Sequence, residues 1–238
     1  MADEVHGARD LLLRQGLVAA VRRLDALGLN RGSTGNLSVR GGAADEGGGA
    51  GQSASRDTGG IWITPTGMEP DDLDADALTW IGDDGRVLGR WEPSSEWPFH
   101  CAIYQQRPDL SAVVHLHSTN ATALACLRRG LPAVHYMVAV AGGHDVPCTP
   151  YYLFGSEALS LAVRQAFIDR NACLMANHGL VAGGSTLKHA IKVAVEIEAL
   201  CELYLKALAA GEPALLSADE MAQVVQRFTT YGRARRAP

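Results

Sequence analysis

The stretch VVHLHST, residues 113–119, decides how the chain is interpreted, because two histidines interrupt an apolar segment there. Side chains alternate across a strand, so Val113, His115 and His117 share one face. An apolar strand seldom buries two imidazoles side by side unless they bind something. Two histidines on one face can direct two ring nitrogens at a single point, which suits zinc. The alternative is a pair of core histidines that bond to the backbone.

A third histidine follows a second short apolar segment. His178 lies in the turn NHG, between residues 172–176 and the segment LVAGG, so its imidazole can extend from the end of a strand. The alternative is a turn histidine that faces solvent. Spacing alone does not exclude the other histidines, which are His6, His100, His135, His144 and His189. His100 follows Glu96 by four residues on one helix face, which favours a structural pair.

Glu96 comes directly after Ser94 and Ser95, at the start of a predicted helix. The N-terminus of a helix favours anions, so this glutamate can simply compensate the helix dipole. The same helix end can bind a substrate phosphate through the two serines and free N–H groups. The turns GSTGN and TPTG, at residues 32–36 and 64–67, combine small hydroxyls with glycines. Such turns can form anion-binding nests, although each one alone is usually only a turn.

The composition indicates a single soluble domain. The chain has 238 residues, of which 47% are hydrophobic, so it can bury a substantial core. Its net charge of −5 gives no electrostatic indication of nucleic-acid binding. No signal segment precedes residue 10, and no apolar run reaches the roughly 18 residues that cross a membrane. The five cysteines are isolated from one another, which favours the reducing cytoplasm.

Hydrophobic periodicity and turn signals predict alternating helices and strands. The predicted helices are residues 9–27, 95–107, 120–129, 156–170, 186–209 and 217–228. The predicted strands are residues 35–40, 60–67, 85–91, 111–118, 132–140, 172–176 and 180–184. Residues 41–60 are rich in glycine and serine and predict a long loop insertion. Short connections between several strands predict an α/β fold whose sheet contains antiparallel pairs.

Seven sequence blocks occur in an order that resembles a known family. They are GSTGNLSVR, ITPTGM, PSSEWPFH, VVHLHSTNA, HYMVAVAGG, ANHGLVAGG and TTYG. Together they resemble the class II aldolases of the adducin-like superfamily, with the L-fuculose-1-phosphate aldolases as the nearest group. The resemblance implies a three-layer α/β/α domain, a mostly antiparallel central sheet, and a C4 homotetramer with active sites between subunits. It also implies that residues 217–238 form a helix and a tail that covers the site.

The resemblance assigns roles to individual residues. It implies that His115, His117 and His178 bind one Zn²⁺ per subunit and that Glu96 moves the proton. It implies that Tyr136 extends into a neighbouring subunit's site and that Tyr231 covers the site from the tail. The residues that the resemblance assigns to the substrate phosphate are Ser33, Asn36, Thr66, Gly67, Ser94 and Ser95.

The implied function is zinc-dependent cleavage of a ketose 1-phosphate, such as L-fuculose 1-phosphate, into dihydroxyacetone phosphate and a small aldehyde such as lactaldehyde. No lysine lies in the matched site blocks, which disfavours a Schiff base. The alternatives are a 5-methylthioribulose-1-phosphate dehydratase, a 5-deoxyribulose-1-phosphate or methylthioribulose-1-phosphate aldolase, and a non-catalytic adducin-like module. A ribulose-5-phosphate 4-epimerase is disfavoured, because an aspartate is expected there at the position of Glu96.

Overall fold

The computed structural model describes residues 8–41 and 59–228. Six α-helices lie in this part of the chain: α1 (Ala8–Ala26), α2 (Trp97–Gln106), α3 (Thr119–Cys126), α4 (Glu157–Ala166), α5 (Leu187–Ala210) and α6 (Ala218–Phe228). The strands there are β1 (Asn36–Arg40), β2 (Gly60–Ile63), β3 (Thr79–Gly82), β4 (Val87–Leu88), β5 (Ala112–Leu116), β6 (Cys148–Thr149), β7 (Ala172–Met175) and β8 (Gly179–Gly184).

All eight of these strands form one sheet in the order β4-β3-β2-β1-β5-β8-β7-β6. Every neighbouring pair is antiparallel except β6 and β7, which are parallel. The predicted α/β fold with a mostly antiparallel central sheet is therefore confirmed. Among the described residues, no helix combines the length and the apolar character that a membrane span requires.

Strand β5 lies at the centre of the sheet and has a core on each face. Val114 and Leu116 point into the larger core, which α1, α3 and α5 cover. Val113 points the other way, into a second core that α2 and α4 cover. His115 lies on this second face, with the centre of its ring 5.6 Å from that of Phe99 in α2. Two cores on opposite faces of one sheet produce the three-layer α/β/α arrangement.

The helices agree well with the predicted ones, and their ends have identifiable causes. The Ser-x-x-Glu motif at residues 217–220 forms a capping box at the start of α6: Ser217 N–H donates to Glu220 Oε2 at 2.7 Å, and Glu220 N–H donates to Ser217 Oγ at 3.3 Å. The helix predicted to start at residue 95 begins at Trp97, and Glu96 occupies its N-cap position without a side-chain capping bond. The Glu96 side chain points into a cavity instead.

The strand predicted at residues 132–140 is wrong. Residues Tyr136–Ala141 form a 3₁₀-helix, and only Leu131 is bridged, to Val146. Pro132 lacks the N–H that a ladder requires. His135 Nδ1 then accepts the Met137 N–H at 3.3 Å and caps the 3₁₀-helix, which ends at Gly142 with φ of +86°.

Strand predictions also failed near both edges of the sheet. The strand predicted at residues 85–91 pairs only over the exposed residues Val87–Leu88. Strands β3 and β6, which have four and two residues, were not predicted. Most of the predicted insertion, residues 42–58, and the tail at 229–238, which includes Tyr231, lie outside the described residues.

Candidate active site

Four side chains from three parts of the fold converge near the centre of the sheet. His115 lies within β5, His117 directly follows it, His178 lies in the β7–β8 turn, and Glu96 precedes α2. The nearest ligand atoms of the four side chains all lie within 4.8 Å of one another. Strand β5 pairs with β8 and α2 packs above it, so this convergence follows from the sheet order.

A backbone bond fixes which nitrogen of His115 faces the cluster. His115 Nδ1 lies 2.9 Å from the carbonyl oxygen of Leu180, and a carbonyl only accepts, so Nδ1 carries the proton. In the neutral ring, Nε2 then has a free lone pair. That nitrogen lies 3.0 Å from His117 Nε2 and 3.1 Å from Glu96 Oε2. Electron-pair donors that face one another at this range are the arrangement that a bound cation stabilises.

The second carboxylate oxygen of Glu96 also indicates a bound cation. Oε1 lies 3.1 Å from His178 Nε2, yet this buried oxygen accepts no well-aligned hydrogen bond. A buried carboxylate oxygen without a donor is costly unless a cation or substrate satisfies it. Three imidazoles and one carboxylate are also a donor set that zinc prefers. The residues present therefore fit a divalent metal.

The turn that carries His178 is held in an unusual conformation. Asn177 has φ of +54°, in the left-handed region, where asparagine is tolerated better than most residues. Its N–H donates to Ala125 O at 3.0 Å, and its Oδ1 accepts from Arg128 Nε at 3.0 Å. Gly179 follows, and a Cβ there would lie 2.5 Å from the Leu116 carbonyl oxygen and 3.0 Å from His117 Cδ2. The NHG sequence thus brings His178 close against β5.

Burial and mutual charge tune these groups towards metal binding. Burial alone raises the pKa of Glu96, but His115 and His178 outweigh it and lower the pKa below its usual range. Burial, together with His115 and His178, lowers the pKa of His117 to about 4. At neutral pH the cluster therefore contains an ionised carboxylate and a neutral His117, the forms in which these groups bind metals.

A cavity of about 350 Å³ opens above the cluster. Glu96, His117 and His178 line it, and His115 lies beneath with no exposed surface. All six residues predicted for the substrate phosphate line the same cavity: Ser33, Asn36, Thr66, Gly67, Ser94 and Ser95. No lysine or arginine is among the described residues that line it. An anion in this cavity would therefore be held by hydroxyl and N–H groups.

One predicted residue that the structure describes, Tyr136, does not line this cavity. Tyr136 lies on the 3₁₀-helix with half of its surface exposed, and Tyr231 is outside the described residues. Three rim residues were not predicted: Tyr151, Tyr152 and Phe154. The sequence feature that could have indicated them is YYLF, a run of large side chains in the connection between β6 and α4.

Comparison with known proteins agrees with this site. A family model described as Class II Aldolase and Adducin N-terminal domain matches residues 15–205. A 5-methylthioribulose-1-phosphate/5-deoxyribulose-1-phosphate aldolase from Rhodospirillum rubrum is 46% identical over 222 residues, which is 93% of each chain. An L-fuculose phosphate aldolase from Escherichia coli K12 is 41% identical over 225 residues, covering 94% of this chain and 97% of that one.

A solved structure gives the same result. The structure of an L-fuculose 1-phosphate aldolase superposes with a TM-score of 0.82 at 35% identity, over 91% of this chain and 96% of that chain. The family match spans most of the sequence, and the two curated relatives are named as aldolases, which are carbon–carbon lyases. The chain therefore belongs to the class II aldolase and adducin family.

Proposed function

We propose that the protein is a zinc-dependent aldolase that reversibly cleaves a ketose 1-phosphate into dihydroxyacetone phosphate and a small aldehyde. The observation that carries this proposal is the cluster of Glu96, His115, His117 and His178 at the base of a cavity lined by small hydroxyls and glycines. A non-catalytic module would have no need for this set of ligands. Their presence therefore favours the enzyme over the scaffold.

The three histidines would hold Zn²⁺, and each residue has a distinct task. When bound there, the metal would supply Lewis-acid stabilisation of the negative charge on the dihydroxyacetone phosphate half. Glu96 takes and returns the proton at that half, since it lies directly against His115 and His178. Ser94 and Ser95 at the start of α2, with the turns at residues 32–36 and 64–67, would bind the phosphate and orient the sugar.

The rim of the cavity supports an aldehyde with an apolar end. Tyr151, Tyr152 and Phe154 line it, and no lysine or arginine among the described lining residues could bind a second phosphate. A methyl or methylthio group fits such a rim better than a charged group does. The identity of 46% to the 5-methylthioribulose/5-deoxyribulose enzyme exceeds the 41% to the fuculose enzyme. We therefore place 5-deoxyribulose 1-phosphate first and L-fuculose 1-phosphate second, which reverses the order expected from the sequence.

The experiment measures release of dihydroxyacetone phosphate from both sugars, with chelator and then with zinc restored. Release that a chelator abolishes and zinc restores is the expected result, with the faster rate on 5-deoxyribulose 1-phosphate. Loss of water from 5-methylthioribulose 1-phosphate, without carbon–carbon cleavage of any sugar, would replace the aldolase with a dehydratase. Release that the chelator does not affect would overturn the role of the metal.

The assembly and location form part of the same proposal. We propose a homotetramer in which Tyr136 acts on the neighbouring subunit's aldehyde oxygen, because Tyr136 is exposed and does not line its own cavity. The tail with Tyr231 would cover the site. All five cysteines are free, which is compatible with a cytoplasmic location.

A further inference from the structure

A buried polar ladder runs from the candidate active site into the protein. On α2 and its N-cap, Glu96, His100 and Tyr104 recur every four residues along one face. On β1, Asn36 and Ser38 lie on the face that meets this helix. Four residues of a helix rise about 6 Å and two residues of a strand rise about 6.7 Å. The polar side chains of α2 and those of β1 therefore remain opposite one another along the two elements. The ladder therefore follows from matched spacings in the sequence.

Hydrogen bonds join the two rows into one chain. Asn36 Nδ2 donates to Glu96 Oε2 at 3.0 Å, and Asn36 Oδ1 lies 2.6 Å from His100 Nε2. His100 Nδ1 lies 2.7 Å from Ser38 Oγ, which lies 2.9 Å from the Tyr104 hydroxyl. The ring of His100 is wholly buried and stacks on Phe99 at 4.7 Å. His100 is thus linked to Glu96 through Asn36, and the simple pair expected from their four-residue spacing is absent.

The directions of the bonds from Glu96 through Asn36 and His100 to Ser38 follow from the carboxylate, while the Tyr104 hydroxyl donates to the Ser38 carbonyl oxygen at 3.0 Å. An ionised carboxylate only accepts, so the NH₂ group of Asn36 must face Glu96 and its oxygen must face His100. His100 must then carry its proton on Nε2, and its Nδ1 must accept from the Ser38 hydroxyl. If His100 carried its proton on Nδ1, the Asn36 amide would turn over. Asn36 Oδ1 would then face Glu96 Oε2, and two acceptors would oppose each other at 3.0 Å.

We propose that His100 is a positioning residue, whose Nε2–H locks the Asn36 amide so that its NH₂ group holds the Glu96 carboxylate in place. This inference rests on the proposed function, in which Glu96 moves the proton. The NH₂ group has two protons, and the second is available to a substrate oxygen in the cavity that Asn36 lines. Burial, followed by the repulsion that a protonated His115 would add, lowers the pKa of His100 to about 3, so the ring is neutral at pH 7.

The kinetic test compares two substitutions of His100. His100→Phe keeps a ring to stack on Phe99 but removes the donor, and we expect kcat to fall about 10- to 100-fold, as for other partners that orient metal-site residues. His100→Gln keeps an N–H donor that reaches Asn36, so we expect it to recover most of the lost kcat. Equal losses in both variants would contradict the proposal, because a purely structural role depends on shape and not on the donor.

A double-mutant cycle tests whether His100 acts through Asn36. We expect His100→Phe to cause no further loss of kcat/KM in the Asn36→Ala background, because the group that it positions is already absent. Losses that multiply would overturn the proposal. Thermal unfolding of each variant identifies the folded ones.

A third measurement needs no active variant. In the wild-type holoenzyme with ¹⁵N-labelled histidine, we expect His100 to show the neutral Nε2–H form at pH 7, with its signals assigned by their loss in His100→Gln. A charged ring or the Nδ1–H form would overturn the inference. This result does not depend on turnover, whereas failure of the proposed function would show as an inactive wild-type enzyme.

Discussion

At the scale of single residues, His115 shows how one backbone contact selects a chemistry. The His-x-His spacing on an apolar strand predicts that two imidazoles share a face, and the structure places them so. The sequence does not show which ring nitrogen is available. The Leu180 carbonyl oxygen decides this by accepting a hydrogen bond from Nδ1–H, and Leu180 is 65 residues away in the chain. Such a contact exists only after β5 and β8 have paired.

Removal of one ligand should lower the zinc content. We expect His115→Ala and His178→Ala to lose most bound zinc after dialysis. Mutation of a residue that only hydrogen-bonds to a metal ligand lowers metal affinity about 10- to 100-fold, and loss of the ligand itself should lower it further. The measurement is zinc per subunit by elemental analysis of folded protein. His144→Ala is the control, because His144 is largely exposed and lies outside the cluster. If either ligand variant kept full zinc, its assignment as a ligand would be wrong.

The left-handed turn at Asn177 should tolerate glycine but not valine. Asn177→Gly keeps φ of +54° accessible, and we expect its free energy of unfolding to change by less than about 1 kcal/mol. Asn177→Val should lose about 1–2 kcal/mol, because a β-branched residue is strained there, and it should bind zinc more weakly as His178 shifts. Urea unfolding and zinc titration of both variants measure this. Equal behaviour of the two would exclude backbone strain as the cause.

Burial of His100 should make the metal-free protein less stable in acid. The lowered pKa of about 3 means that the unfolded chain binds a proton between pH 6.5 and 3 where the folded chain does not. The free energy of unfolding should therefore fall with falling pH, by up to about 1.4 kcal/mol per unit for this group. Urea unfolding at about pH 6.5 and about pH 5 should show a shallower decline in His100→Gln than in wild type. Identical declines would show that His100 does not titrate on unfolding.

At the scale of elements, helices were more predictable than strands. The helices α1 and α5 run for 19 and 24 residues, long enough for an apolar period to be evident. The segment at residues 132–140 has an apolar content typical of a strand, but the cap at His135 and the contacts of Val138 in the core select a 3₁₀-helix. Local propensity is overridden there by tertiary packing.

Glu198 on α5 shows how one element stabilises another. Its carboxylate is buried and accepts four hydrogen bonds at the start of α3: from Ser118 Oγ at 2.7 Å, and from Asn120 N, Asn120 Nδ2 and Ala121 N at 2.8 Å each. Ser118 itself makes no side-chain capping bond, so the distant glutamate caps the helix that directly follows His117. In the sequence, the glutamate within the apolar segment IEAL, residues 197–200, indicates a buried carboxylate that needs hydrogen-bond donors.

Replacement of this cap should destabilise the protein. Glu198→Gln puts a donor where every partner donates, and we expect the free energy of unfolding to fall by about 2–3 kcal/mol. Glu202→Gln is the matched control on the same helix, since its exposed pair with Lys206 should contribute no more than about 0.5 kcal/mol. Urea unfolding compares them. A similar small change in both variants would show that Glu198 does not stabilise α3.

At the scale of the whole molecule, the candidate site combines what sequence blocks predict with what only the fold can supply. The four clustered residues lie in three separate blocks, and the resemblance of those blocks to one family predicts that they form a single site. The ladder through Asn36 and His100 was not predicted. Asn36 lies on a strand and His100 on a helix 64 residues away, and the sequence does not show that these two elements pack against each other. The cavity also stays open at its rim, where Tyr151 and Phe154 are exposed.

A site shared between subunits should be restored by mixing two inactive variants. His115→Ala lacks a metal ligand but keeps Tyr136, whereas Tyr136→Ala keeps the metal ligands. If Tyr136 acts on a neighbouring subunit, each homo-oligomer has no complete site, and co-expression in equal amounts should leave about one site in four complete. We therefore expect the mixture to recover roughly a quarter of wild-type kcat.

The control combines His115→Ala and Tyr136→Ala in one chain and co-expresses that chain with wild type in equal amounts. Every wild-type subunit beside a double-variant subunit then lacks its tyrosine, so about one site in four is again complete. If Tyr136 acted within its own subunit, this control would keep about half of the activity, and the mixture of single variants would remain inactive. A site shared between subunits and a site within one subunit therefore predict different activities in both mixtures.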